Sequence, residues 1–132
     1  MIRTLAVLCL LLLLAPGAMP QSRLNGVWIG TGYQTDDNST WAMKLTITRL
    51  RNGGRKFSID YPSLNCGGRW KLLKTSQRKF TFREQLSFGQ ERCANNGRVW
   101  LERVNRKQIV YWYSNQGSPE ITASAVLTRQ RN

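Results

Sequence analysis

The sequence predicts an all-β protein, an eight-stranded antiparallel up-and-down barrel with one disulfide. Apolar and polar residues alternate over most of the chain, which is the period of a half-buried strand and not of a helix. Turn-forming Asn, Asp, Gly and Pro residues separate these runs at short intervals. Consecutive strands joined by short turns pair as a meander, and closure of the meander into a barrel removes two exposed edges.

The eight strands are justified in order by this alternation. Their predicted ranges are 25–33, 41–50, 56–61, 68–74, 79–88, 97–104, 108–114 and 121–129. One-sided apolar sets are clearest in the second, third and fifth strands: Trp41, Met43, Leu45 and Ile47, then Phe57, Ile59 and Tyr61, then Phe80, Phe82, Leu86 and Phe88. Connectors such as Asn52-Gly53-Gly54 carry residues that favour tight turns.

The first twenty residues are predicted to be a signal peptide and not part of the barrel. Arg3 precedes an unbroken apolar run over residues 5–14, and small residues with two prolines follow it. The run is too short to cross a bilayer. We therefore expect cleavage within residues 17–20, secretion or a periplasmic location, and a single domain over residues 21–132.

Two cysteines remain after the predicted cleavage, since Cys9 lies in the signal peptide. An even count in an oxidising compartment predicts a disulfide between Cys66 and Cys93, which would stabilise the fold by about 3 kcal/mol; two free buried thiols are the alternative. Successive turns of a meander alternate between the two ends, so both cysteines are expected at the same end of the barrel. Without any histidine the chain offers almost no ligands for a zinc or copper centre, and we expect no metal and no cofactor.

The charge of the chain is strongly positive, at +13, and the strand count places much of it at the end opposite the cysteines. We call the following set the basic end: Arg49, Arg51, Arg55, Lys56, Lys74, Arg78, Lys79, Arg103, Arg106, Lys107 and Arg129. Such a set either keeps the protein soluble or contacts a polyanion, here an anionic membrane surface, lipopolysaccharide or an acidic glycan. Nucleic acid is disfavoured because the aromatic residues alternate into the core and do not interleave with the basic turns.

Three further side chains stand out from the alternation. A three-residue turn at 105–107 places Trp100 opposite Trp112 on the outer face, as a cross-strand pair or as a docking patch for a sugar or partner with Arg98 and Lys71 nearby. Glu84 interrupts an inward apolar series, so its carboxylate needs a hydrogen bond, a charge partner or water. A structural bond, a ligand contact and catalysis are all open for Glu84, although no second inward carboxylate or histidine is visible for acid–base work.

The segment Asn25-Gly26-Val27-Trp28 resembles the Gly-x-Trp opening of the calycins, the lipocalins and avidins. The resemblance implies that Trp28 plugs one barrel end beneath a basic residue of the last strand, for which Arg129 is the candidate. It also implies a small apolar or amphipathic ligand in the open mouth at the cysteine end, where many large inward side chains compete for space.

A second resemblance rests on Tyr61-Pro62-Ser63-Leu64-x-Cys66-Gly67-Gly68 and on Phe82-x-Glu84-x-Leu86, Cys93, Gly97-x-Val99-x-Leu101 and Ala123-x-Ala125-x-Leu127. These motifs are similar to those of a small bacterial extracytoplasmic domain found in secreted proteins and at the outer end of some serine/threonine kinases. The resemblance covers nearly all of residues 57–128. It implies compartment, fold and disulfide, and it implies no activity.

Together these observations predict a secreted or periplasmic, non-enzymatic binding module whose basic end docks on an anionic envelope component. A lipocalin-like or avidin-like binder that uses the barrel mouth is the alternative. An enzyme that uses Glu84 as acid or base is a third, disfavoured hypothesis.

Overall fold

The computed structural model describes residues 24–131, and the predicted signal peptide lies outside the described residues. Eight strands form a closed barrel in which each strand pairs antiparallel with its sequence neighbours and β1 pairs with β8. The predicted fold class is therefore confirmed. The strands are β1 (Gly26–Gln34), β2 (Thr40–Arg49), β3 (Arg55–Tyr61), β4 (Cys66–Thr75), β5 (Lys79–Phe88), β6 (Arg98–Arg103), β7 (Gln108–Ser114) and β8 (Ile121–Arg129).

Outside the strands, the β3–β4 connection contains one 3₁₀ helix, Pro62–Leu64. Over residues 24–131 the chain forms no helix that is both long enough and apolar enough to cross a membrane.

The meander sorts its turns between two ends. The β1–β2, β3–β4, β5–β6 and β7–β8 turns surround one end, which we call the mouth, and the other three turns surround the basic end with the last residue of β8. Because strand direction alternates, every side chain near a strand end is assigned to one of these two ends by its position alone.

The core is built from the inward side chains of all eight strands. Phe82 contacts Phe57 with ring centroids 4.7 Å apart, and Trp70 stacks on Tyr111 with centroids 5.7 Å apart. At the basic end, fully buried Trp28 donates from its indole nitrogen to the carbonyl of Leu24 at 2.9 Å. The Arg129 guanidinium lies 4.5 Å from the Trp28 ring centroid, a cation–π contact that covers this end of the lumen.

The mouth is tied together by the predicted disulfide, which is confirmed. Cys66 and Cys93 are bonded with their Cα atoms 6.5 Å apart. Arg92 strengthens the same connection, since its guanidinium donates to the carbonyl of Asn65 at 2.8 Å. Gly89 lies beneath this link with φ at 70°, and a Cβ there would lie 2.5 Å from the Cβ of Cys66. Only glycine fits this position without displacing the chain.

Phe88 departs from the predicted inward series. The register between β4 and β5 shifts between Gly67 and Gly68, so that Gly67 pairs with Phe88 and Gly68 with Leu86. An extra residue in one strand reverses the side-chain alternation beyond it. Phe88 is accordingly 46% exposed, and its ring lies against Gly67.

The wall of the barrel is incomplete between β3 and β4. Their ladder contains only the pairs from Ser58–Arg69 to Tyr61–Cys66, all in the half of these strands nearer the mouth. Toward the basic end, Trp70–Thr75 pairs with β5 alone and Arg55–Phe57 with β2 alone. We call this opening the β3–β4 gap.

Candidate functional site

All residues assigned to the basic end lie there in the structure, at strand termini or in the three turns that surround it. Among the described residues, one carboxylate reaches the same strand ends: Glu102, which is paired with Lys79 across β5 and β6. The other acidic side chains lie at mid-barrel or toward the mouth. Positive charge is therefore segregated at one pole of the molecule.

Three arginines of the basic end line one pocket between the β4–β5 and β6–β7 turns. Its volume is about 330 Å³, and Arg78, Arg103 and Arg106 share the lining with Gln77, Val104 and Asn105. The backbone holds two of them side by side, because the amide of Arg103 donates to the carbonyl of Arg78 at 2.9 Å. Guanidinium and amide groups are donors that match the oxygens of a phosphate or a sulfate. We call this site the arginine pocket.

Arg103, which lines the arginine pocket, has an unused donor. Nη2 of Arg103 is buried and has no hydrogen-bond partner among residues 24–131, and Nε of Arg129 is in the same condition. A buried donor without an acceptor costs roughly 1–3 kcal/mol, more when it is charged. An anion in this region would supply the missing acceptor.

Like charges are close together at this end. Burial and the neighbouring Arg103 charge lower the pKa of Arg129, and burial with the neighbouring Arg49 charge lowers the pKa of Arg55. Neighbouring cations repel one another unless an anion lies between them. The basic end thus holds like charges close together, Arg129 beside Arg103 and Arg55 beside Arg49.

The mouth leads into a chamber of about 260 Å³. Its floor and walls include Glu84, Tyr61 and Tyr111, with Trp41 at its side and Arg92 at the rim. The hydroxyl of Tyr113, which also lines the chamber, is buried and takes part in no hydrogen bond with the described residues. Below this level the lumen is filled by side chains such as Phe82 and Trp28.

Glu84 is held by two hydrogen bonds and is 2% exposed. The Tyr61 hydroxyl donates to its Oε2 at 2.5 Å, and the indole nitrogen of Trp70 donates to the same oxygen at 2.8 Å. Burial raises the pKa of Glu84, and these two donors oppose that rise. Burial also raises the pKa of Tyr61 and of Tyr111 well above their ordinary range. Of the three roles that the sequence leaves open for Glu84, the structural bond is the one with partners in the structure.

The two outer tryptophans are neighbours. Trp100 pairs with Trp112 across β6 and β7, and both line a shallow depression with Lys79 and Ile121. Neither Arg98 nor Lys71, which the sequence suggests as neighbours of this pair, lines the depression. Lys71 pairs with Arg83 on β5, whereas the β5 partner of Trp100 is Thr81, two positions along the strand. Lys71 lines the β3–β4 gap instead.

Two features of the candidate sites escaped the sequence analysis. The uncharged residues Gln77 and Asn105 also line the arginine pocket. They belong to two different turns, and the sequence does not show that these turns are adjacent. The β3–β4 gap was also missed. Its one sequence signal is the doublet Leu72-Leu73, which breaks the alternation of β4.

The chain matches no protein-family model and no curated protein. Within residues 24–131, no group of three or more carboxylate and cysteine side chains lies close enough together to hold a metal ion.

Proposed function

We propose that the protein is a secreted or periplasmic binding module whose basic end docks on an anionic component of the cell envelope. The observation that carries this proposal is the arginine pocket, which three arginines line and where Arg103 also has a buried donor without a partner among residues 24–131. A phosphate group, as on a phospholipid or on lipopolysaccharide, supplies both the charge and the acceptors that this site lacks.

The charge of the surrounding end is sufficient for reversible docking. Each Lys or Arg close to an anionic membrane contributes about 1 kcal/mol, and the contribution decays within a Debye length. The turns of the basic end carry further cations outside the pocket, including Arg51 and Lys107. Several such contacts acting together give a membrane association that salt weakens.

The mouth gives less support to the alternative, a lipocalin-like small-ligand binder. Its chamber of about 260 Å³ is below the ~300–1,000 Å³ of most small-molecule pockets. The buried carboxylate inside it already accepts two hydrogen bonds from core side chains. We therefore place the primary binding site at the basic end.

Vesicle co-sedimentation tests the docking proposal. Wild-type protein is expected to sediment with phosphatidylglycerol-containing vesicles at about 0.05 M salt and to be released at about 0.5 M, where screening is strong. The double variant Arg78→Gln, Arg106→Gln loses two exposed charges of the arginine pocket. Its partition coefficient should fall roughly tenfold or more, from about 1 kcal/mol per charge.

The matched control removes two charges elsewhere. Lys44→Gln with Arg98→Gln changes the net charge equally, at exposed positions outside the basic end. This variant is expected to partition within about twofold of wild type if location and not total charge governs docking. Equal losses in the two double variants, or no sedimentation of the wild type at low salt, would contradict the proposal.

A further inference from the structure

The β3–β4 gap opens into a groove of about 600 Å³ beside the basic end. This volume lies within the range of small-ligand sites, ~300–1,000 Å³. The buried side chains of Phe57, Trp70 and Phe80 line it, together with half-exposed Leu50 and Leu72. The exposed apolar surface of the groove therefore comes mainly from Leu50 and Leu72, above a floor of side chains that stay buried.

Leu72 shows that the groove reaches the inner face of the barrel. It pairs with Phe82, which is fully buried, and it lies two positions after Trp70, so its side chain is on the inward face of β4. Leu72 is nevertheless 44% exposed. An inward leucine is covered by the neighbouring strand in a complete barrel; here no β3 residue pairs with it.

The rim of the same groove is basic. Arg55 and Lys56 line it from β3, and Arg69 and Lys71 from β4. Arg69 also donates to Gln85 at 3.3 Å, which orients its guanidinium along the rim. Neither Asp nor Glu lines this part of the described chain. An apolar floor with a cationic rim is complementary to one kind of molecule, an apolar chain with an anionic head.

We propose that the groove holds one acyl chain of an anionic lipid, with the lipid head group among Lys56, Arg69 and Lys71. This inference rests on the proposed docking function, because the groove lies beside the basic end and Lys56 belongs to both. Beyond docking on a charged surface, the protein would bind one individual lipid molecule of that surface. The chain would cover Leu50 and Leu72 above the buried floor of the groove.

An extended peptide is a different occupant that the unpaired edge of β4 also permits, by addition of a strand. The lipid is favoured because a peptide strand uses backbone groups and has no need of a cationic rim or of an apolar floor. The two occupants separate in a binding experiment with a lipid-like probe that has no peptide bonds.

The experiment measures calorimetric binding of dodecyl phosphate, below its micelle concentration, to the signal-free protein. Butyl phosphate is the reference, since it has the same head group and a short chain. We expect dodecyl phosphate to bind at one site and at least about tenfold more tightly than butyl phosphate, because only the long chain buries the groove.

Two adjacent leucines supply the variant and its control. Leu72→Gln places an amide in the groove and is expected to weaken dodecyl phosphate roughly fivefold to tenfold. Leu73 is 47% exposed and is absent from the groove lining, because a bulge at this point leaves it unpaired between Leu72 and Lys74. Leu73→Gln should therefore leave the affinity within about twofold.

Each other outcome overturns the inference. Equal affinity for the two phosphates means that only a head group is recognised, and equal losses in the two leucine variants mean that the chain lies elsewhere. No binding of dodecyl phosphate leaves a peptide or another occupant for the groove. Vesicle sedimentation of the wild type, measured in parallel, separates the two proposals. Sedimentation without dodecyl phosphate binding rejects the lipid groove but not the docking proposal. Binding of dodecyl phosphate without sedimentation rejects the docking proposal but not the groove.

Discussion

Glu84 connects three strands through one oxygen atom. It extends from β5 and accepts hydrogen bonds from Tyr61 at the end of β3 and from Trp70 in β4. These two donors lie on either side of the short β3–β4 ladder. The carboxylate therefore links two strands that few backbone hydrogen bonds join, and this link compensates part of the cost of burying a charge.

The raised pKa of Glu84 makes its contribution to stability depend on pH. In the unfolded chain the group takes its ordinary value of 4.5, and burial raises the folded pKa above it. The folded state then binds the proton more tightly, so the free energy of unfolding falls as pH rises from about 4.5 through the folded pKa and is level beyond it. Tyr61 and Tyr111 stay protonated in this window because their own pKa values are raised from 10.0.

Glu84→Gln should remove this dependence. Urea unfolding measures the free energy of unfolding of wild type and variant across a pH series. As pH rises above about 4.5, the wild type is expected to lose stability relative to the variant. Contributions from other groups cancel in the difference. A difference that stays constant between acid and neutral pH would mean that Glu84 titrates normally in the folded protein.

At the scale of the element, β4 is the least supported strand over its second half. The segment Trp70–Thr75 pairs with β5 and not with β3, whereas Gln108–Ser114 in β7 pairs with neighbours on both sides. Amides without a ladder partner exchange with solvent through smaller openings than those in a doubly paired strand.

Hydrogen exchange should therefore distinguish these two strands. Peptides covering 70–75 are expected to exchange about half of their amides early, because only the side facing β5 is protected. Peptides covering 108–114 in the same sample serve as the internal reference and should stay protected much longer. Equal protection of the two strands in solution would show that the β3–β4 gap is closed there.

The sequence predicts the strands and their order in the barrel well, and the pairing of β4 with its neighbours less well. Every strand was placed within two residues of its observed bounds, since alternation and turn residues are local signals. The shared location of Cys66 and Cys93 also followed from counting strands. The exposed Phe88 could not be predicted this way because it depends on a register shift between β4 and β5, and the β3–β4 gap could not because it depends on where the ladder between those strands ends.

The arginine pocket illustrates the same limit at the site. Composition and strand count place Arg78, Arg103 and Arg106 at one end, which the structure shows. That these three share one pocket, with a buried donor left over, depends on the curvature of the barrel and on the contact between two turns that are distant in the chain. Patterns along a single chain carry no information about that contact.

At the scale of the whole molecule, the protein is electrically polarised along the barrel axis. Cations dominate the basic end, whereas Asp36, Asp37, Glu91 and Glu120 lie in the turns of the mouth. A molecule with this distribution is turned by the field of an anionic surface before it makes contact. Docking should thus occur in one orientation, with the mouth directed away from the membrane.

Site-specific fluorophores measure this orientation. Ser76→Cys carries the label in an exposed turn of the basic end, and Gln116→Cys carries it in an exposed turn of the mouth. With phosphatidylglycerol vesicles at low salt, emission from the first label should shift to the blue and emission from the second should stay unchanged. Shifts of similar size at both positions would indicate docking without a preferred orientation.

The placement of the β3–β4 gap has a mechanical consequence. The two strands are joined at the mouth by the short connection through Pro62–Leu64, which Arg92 and the Cys66–Cys93 bond fasten to the neighbouring loop. At their other ends β3 pairs with β2 and β4 with β5, but the two strands do not pair with each other. The two strands are therefore held together at the mouth and separate from each other toward the basic end. We expect a small rotation about this connection to move the strand ends at the basic end farther than those at the mouth, which would widen the groove for a bulkier ligand.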